Sequence, residues 1–278
     1  MKQRLISALL GLCVLAFVLA FYETIVFNIA ITFLIVMVMY ELFKATGLIK
    51  CKPLFLVCLV FSALVPLLQT NRLITQLAAI CCAYAFLLFI ILIAYHSTVQ
   101  IEKIGLAFFL GLMVPFSFSP LQFVHDRFEA PISILYLLII LGGAWLTDTG
   151  AYFAGKAFGK HKMAPTISPK KTVEGAVGGV VCNLICYIVL CFVYTTVAKN
   201  VFGIIVNVNY FALAVLAPFA SIAGIFGDLA ASVIKRQCNI KDFGSIMPGH
   251  GGVMDRFDSV LFVAPTVFIF IQYFTILS

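Results

Sequence analysis

Between Lys241 and Ser259 the chain reads KDFGSIMPGHGGVMDRFDS, a stretch that gathers Lys241, Asp242, His250, Asp255, Arg256 and Asp258 around a Pro-Gly-His-Gly-Gly turn. Only 10% of the whole chain is charged, so this concentration needs a reason. Gly249, Gly251 and Gly252 free the backbone for tight turns and for close approach to a ligand. A helix is expected soon afterwards, with Asp255, Asp258 and Ser259 at i, i+3 and i+4 on one face. Carboxylates grouped in this way suit Mg²⁺, which takes oxygen from one or two Asp and the rest from water and substrate phosphate. His250 reads as a metal ligand or, more ordinarily beside Asp residues, as a hydrogen-bond donor to phosphate or carboxylate. A zinc site would need more His or Cys nearby.

Three further polar groups interrupt apolar surroundings. Asp148, in GGAWLTDTGAYFAGKAFGK, falls at or near membrane depth one helical turn before Tyr152. An ionised Asp at a helix centre costs about 2.5–3.5 kcal/mol on insertion scales, so it must face a partner or a water-filled cavity, or hydrogen-bond to a neighbouring helix. Lys170 and Lys171, in HKMAPTISPKKTVEGAVGG, follow an extended segment stiffened by Pro165 and Pro169 and precede a helix start. Two readings stay open: an anion site, since free N–H groups and ammonium charges point the same way, or basic residues that set topology and touch anionic lipid. In GIFGDLAASVIKR, Asp228, Ser232 and Lys235 fall at i, i+4 and i+7 on one helical face. Lys235 and Arg236 close that helix where cations are favourable, which explains them but not Asp228. There is no Ser-His-Asp arrangement, P-loop or G-x-G-x-x-G strand turn.

The elements that position these groups are membrane helices. With 63% hydrophobic residues over 278 positions and a mean hydropathy of +1.15, the chain is far more apolar than a water-soluble domain, whose apolar share is about half. Nine apolar segments approach or exceed the length that crosses a hydrocarbon core. They begin near Leu5, Thr24, Pro53, Leu73, Ile104, Pro131, Val173, Asn209 and Asp258. The expected fold is therefore all-α and polytopic, with N-terminal transmembrane helices over 1–130 and catalytic helices with their loops over 131–278. The first segment is not a removable signal peptide: Lys2 and Arg4 precede it, but no small-residue cleavage site follows. Of nine cysteines, seven lie inside apolar spans and none forms a C-x-x-C pair, so they read as packing residues.

With the N-terminus in the cytoplasm, fifteen Lys and Arg fall in inner loops and only Arg72, Arg127 and Lys199 in outer ones. That asymmetry predicts an inside N-terminus and an outside C-terminus. The sixth and eighth spans then run inward while the seventh and ninth start inside, so all four polar clusters meet at the cytoplasmic face. The net charge of +7 requires no nucleic-acid partner. Fifteen of nineteen glycines follow Leu141, which predicts close helix packing in that half. Asp for a divalent metal beside Lys, Arg and Gly for phosphate points to phosphoryl-type chemistry more than to transport.

The stretch SVIKRQCNIKDFGSIMPGHGGVMDRFD resembles the signature of the phosphatidate cytidylyltransferases, or CDP-diacylglycerol synthases. It keeps the order S-x-x-K-R, K-D, P-G-H-G-G, D-R-x-D, with Met247 at a position usually held by Leu, Ile or Phe. TDTGAYFAGKAFGKHKMAPTISPKKTVEG is similar to the family's second shared region, and the five N-terminal spans match in character only. The resemblance implies attack of a phosphatidic acid oxygen on CTP at a bacterial inner membrane, giving CDP-diacylglycerol and pyrophosphate. It implies Mg²⁺, with room for a second, monovalent cation, on Asp228 and Asp255, supported by Asp258 and Asp148. Asp228, Asp255, Lys235, Arg236 and His250 are then the expected catalytic residues. Lys170, Lys171, Ser232, Lys241, Asp242, Gly251, Gly252 and Arg256 are the expected substrate-binding ones. A homodimer is compatible with this reading. The rival expectations are a CTP-dependent lipid or polyprenol kinase and, more remotely, a polytopic transporter.

Overall fold

The computed structural model describes residues 2–67, 73–247, 249 and 251–278, and the side chains among them except those of residues 2–8, 12, 67 and 73–76. Each expected apolar segment is helical, because only a helix satisfies every backbone polar group within one segment inside lipid. In order these are α1 (Lys2–Ala20), α2 (Ile25–Ala45), α3 (Lys52–Leu67), α4 (Leu73–Ala94), α5 (Ile101–Arg127), α6 (Ile132–Phe158), α7 (Val173–Phe202) and α8 (Tyr210–Gln237). The last segment is divided into α9 (Met254–Phe257) and α10 (Val260–Tyr273). Among the described residues six stretches are long and apolar enough to cross a membrane: Ile25–Ala45, Leu77–Ala94, Ile101–Arg127, Ile132–Phe158, Val173–Phe202 and Tyr210–Gln237. Six of the nine expected spans thus meet that length and composition among the described residues. The 16 residues of α3 and 14 of α10 rise only about 24 and 21 Å, short of a core about 30 Å thick. Bulky side chains such as Phe33, Phe86, Ile93, Phe109, Phe192 and Phe211 are exposed, as lipid-facing positions must be.

Two local expectations are corrected. The chain is not purely helical: β1 (Lys162–Ala164) pairs antiparallel with β2 (Ser168–Thr172), Lys162 opposite Thr172 and Ala164 opposite Ser168. Where the prolines predicted only a stiff extended segment, the chain folds back on itself between α6 and α7. Nor do Asp255, Asp258 and Ser259 share one continuous helix. The Asp258 carboxylate accepts the N–H of Ser259 at 2.7 Å, a side-chain bond that competes with the helical one, and the helix breaks there.

The chain divides into two compact units, Met1–Phe123 with Cys238–Arg256, and Val124–Gln237 with Phe257–Ser278. The part of the signature from Cys238 to Arg256 therefore groups with N-terminal residues. In the second unit the glycine-rich half packs closely, as expected: Gly150 lies against Cys182 and Gly178 against Ala154 along the α6–α7 seam, with no room for added side chains. Three buried polar residues tie this seam to α8. Thr147 Oγ1 lies 2.7 Å from the Gly143 carbonyl and 3.0 Å from Ser221 Oγ, to which Asn183 Nδ2 also donates at 3.0 Å. Such interhelical bonds spare polar groups an unsatisfied place in an apolar interior.

Candidate active site

In the second unit, Asp148 in the second half of α6, Lys171 on β2, Asp228 on α8 and Asp258 just before α10 come together. Lys171 Nζ is ion-paired with Asp228 Oδ2, so the hairpin is held against α8. Ser259 Oγ donates to Asp148 Oδ2 at 3.2 Å, linking α10 to α6. Asp258 is 5% exposed, and its charged neighbours are Asp228, Lys235 and Asp148. The approach of α10 to α8 depends on Gly227, where an added Cβ would lie 2.6 Å from the Asp258 carbonyl and 3.0 Å from Ser259 Cα. The residue beside Asp228 is thus glycine because the backbone at Asp258 and Ser259 crosses there. Ser232 and Lys235 continue along α8, half-buried, whereas Arg236 and Lys170 are exposed.

The hairpin has its own anchors. Thr172 caps α7, its Oγ1 accepting from Gly175 N at 3.1 Å. Glu174 accepts the N–H groups of Lys160 and His161 at 3.1 and 3.2 Å and lies 2.6 Å from His161 Nδ1. Lys171 is therefore presented by a hairpin fixed at both ends.

In the first unit, the signature turn is organised by two carboxylates. Met247 N donates to the Gly251 carbonyl at 3.0 Å, closing the turn, and Gly249 and Gly251 have φ of 78° and 86°, where side chains are strained. Asp255 Oδ2 accepts from Phe243 N at 2.8 Å and Gly252 N at 2.9 Å. Glu41, on α2, is 1% exposed and accepts from Val253 N at 3.0 Å and Met254 N at 2.8 Å. It reaches across more than two hundred residues to hold the first amides of α9. Lys241, Asp242 and Arg256 are exposed around this turn, and His250 lies outside the described residues together with Pro248.

The expected site residues thus fall into two groups. Asp148, Lys170, Lys171, Asp228, Ser232, Lys235, Arg236 and Asp258 belong to the second unit, and Lys241, Asp242, Gly251, Gly252, Asp255 and Arg256 to the first. Glu41 and Ser259's bridging role escaped sequence reasoning. The signal for Glu41 was present: it is the one acidic residue of α2, and an acid within an apolar span implies a buried partner.

The donor set suits a hard cation. Asp148, Asp228 and Asp258 offer oxygen ligands in one unit, as Mg²⁺ requires. Among the described residues no three His, Cys, Asp or Glu form a compact cage. Mg²⁺ seldom uses one, because it keeps waters and shares substrate phosphates.

Comparison with known proteins extends the resemblance beyond the two motif regions. The profile of the cytidylyltransferase family matches residues 2–274, so the five N-terminal spans belong to the likeness as well. A phosphatidate cytidylyltransferase of Staphylococcus aureus (strain COL) is 34% identical over 277 residues, covering 95% of this chain and 96% of that protein. That of Bacillus subtilis (strain 168) is 36% identical over 179 residues, 64% of this chain and 62% of its own length. That of Staphylococcus haemolyticus is 43% identical over 145 residues, 52% and 51% of the two chains, so this alignment spans about half of the relative. A match that runs through both compact units and includes the glycine turn and the acidic helices places the chain in the cytidylyltransferase family.

Proposed function

We propose that this protein transfers the cytidylyl group of CTP to phosphatidic acid, giving CDP-diacylglycerol and pyrophosphate, at the cytoplasmic face of a bacterial inner membrane. The observation that carries the reading is the juxtaposition of Asp148, Asp228 and Asp258 with Lys171 and Lys235 in one unit. Membership of the cytidylyltransferase family and the printed name of the relatives support the same reaction. In it, an oxygen of the lipid phosphate attacks the α-phosphorus of CTP, the bond to the β-phosphate breaks, and pyrophosphate leaves with the electron pair. The nucleophile is already ionised, so the site needs no general base and acts by alignment and charge stabilisation.

Asp228, with Asp258 and Asp148 in support, would hold Mg²⁺ in the second unit, and Asp255 of the first unit is proposed as a ligand on the family resemblance alone. The ion supplies charge neutralisation on the transferring phosphate when bound. Lys171, released from Asp228 as phosphate enters, and Lys170, Lys235 and Arg236 neutralise the triphosphate and the lipid phosphate. Ser232, Lys241, Asp242, Gly251, Gly252 and Arg256 bind substrate, and His250 on the glycine turn holds a phosphate oxygen. Nine spans with the N-terminus inside and the C-terminus outside place these groups at one membrane face. Fifteen inner against three outer cations support that orientation.

The alternative is a CTP-dependent lipid or polyprenol kinase, which would transfer the terminal phosphoryl group. Labelled CTP separates the two. With purified protein and phosphatidic acid, label in the α-phosphate is expected in the lipid product and γ-label in pyrophosphate. Appearance of the γ-label in lipid, with the α-label left in water-soluble CDP, would establish the kinase and overturn this reading.

A further inference from the structure

Glu41 is a buried acid that the chemistry proposed above leaves unused. It lies in the last two turns of α2, where its neighbours Leu42 and Phe43 are fully buried. A carboxylate at such a place is costly unless it is hydrogen-bonded, and an apolar residue would pack there without that cost. The bonds it makes run to the signature turn, within the same compact unit. Oε1 accepts from Val253 N at 3.0 Å and Oε2 from Met254 N at 2.8 Å. Both oxygens are engaged by adjacent amides, which a glutamine could not match, because its amide nitrogen would face one of the two N–H groups. Asp255 Oδ2 accepts the amide immediately before them, Gly252 N, together with Phe243 N. Three successive amides, those of residues 252–254, are thus held by two carboxylates, one from α2 and one from the signature itself. Gly244 and Gly252 close around the same spot: an added Cβ at either would run into the Glu41 carboxyl group.

We propose that Glu41 is a positioning residue for cytidylyl transfer, fixing the signature turn so that Asp255 keeps the orientation its role requires. The inference rests on the assignment of Asp255 to Mg²⁺ made above, and it gives α2 a part in the reaction. A turn with positive-φ glycines at 249 and 251 has little conformational preference of its own. Its geometry has to come from outside the segment, and Glu41 supplies it from a helix, a more precise support than a loop. Asp255 follows Met254 directly, so loss of the Glu41 bonds frees the backbone that carries the Asp255 side chain.

Glu41→Gln, Gly244→Ala and Val38→Ala, each made in the full-length protein in nanodiscs, test this. Val38 is buried on the same helix three residues away and controls for a looser core. Hydrogen exchange is read amide by amide, and turnover of CTP with phosphatidic acid is titrated with Mg²⁺. Glu41→Gln is expected to speed exchange at Phe243 and Gly252, whose acceptor is Asp255, as well as at Val253 and Met254. It should also raise the Mg²⁺ concentration for half-maximal turnover about tenfold, the lower end of the effect of groups that orient metal ligands. Gly244→Ala, which displaces the same carboxylate without altering it, should do both. Val38→Ala should lower the unfolding temperature and do neither. Acceleration confined to Val253 and Met254, or matched by Val38→Ala, would reduce Glu41 to a structural contact and overturn the proposal, as would no acceleration in either of the first two variants. Faster exchange at all four amides with an unchanged Mg²⁺ requirement would uphold the positioning of Asp255 and overturn its assignment to the metal. The exchange readout requires no turnover, so it decides the positioning even where the cytidylyl reading fails.

Discussion

Asp228, just ahead of the signature stretch, and Asp255, within it, are single carboxylates whose surroundings give them separable tests. Asp228 is paired with Lys171, so Asp228→Asn removes both the partner of that ammonium and an expected metal ligand. Turnover should fall by more than the roughly 10–100-fold typical of outer-shell partners of a metal site, with the protein still inserted and extractable. Asp255 has a second duty, since its Oδ2 accepts two loop amides. Asn keeps a carbonyl oxygen for those bonds and loses the charge, whereas Ala loses both. Asp255→Asn is therefore expected to abolish turnover while hydrogen exchange at Phe243 and Gly252 stays slow, and Asp255→Ala to accelerate exchange as well. Near-normal activity of either Asn variant across a Mg²⁺ titration would remove that residue from the metal set. Glu41 belongs to the same scale. Glu41→Ala leaves the Val253 and Met254 amides without an acceptor, at a cost of about 1–3 kcal/mol for each buried group, and should speed their exchange. Unchanged exchange at both amides would show that Glu41 does not hold the turn.

At the scale of elements, the acidic cluster depends on how closely helices can approach. Gly227→Ala would place a methyl group against the Asp258 carbonyl, forcing α10 away from α8 at a cost of about 1–3 kcal/mol and lowering activity with it. Gly105, in α5, has open space around its missing side chain, so Gly105→Ala should raise stability by about 0.5–1 kcal/mol and leave activity intact. Thermal unfolding and turnover measured side by side check the pair, and equal behaviour of the two variants would contradict the close approach at Gly227. The helices and their order were readable from hydropathy, as was the crowding of glycine after Leu141. The β1–β2 hairpin was not, because Pro165 and Pro169 announce extended backbone without saying what it pairs with. The break at Asp258 was hidden for a related reason, since i, i+3, i+4 spacing describes a helix and cannot show a side chain capturing the next amide.

For the whole molecule, the proposed orientation makes a prediction of sidedness. Cys238, in the connection after α8, should react with an impermeant thiol reagent only from the cytoplasmic side. Labelling of a variant with Cys238 as its sole cysteine from outside intact cells would reverse the topology and move the active site to the other face. The helical character of every apolar segment and the family were legible in the linear chain. Motif spacing and hydropathy are local properties, and a charged residue in an apolar run stands out without any knowledge of its partner. Which charges meet was decided only in three dimensions. Lys171 with Asp228, Ser259 with Asp148, and Glu41 with the amides of Val253 and Met254 join positions 57, 111 and more than 200 residues apart. Pairings at such separation depend on helix packing, and packing depends on where glycine lets one backbone approach another, as Gly227 lets α10 approach α8.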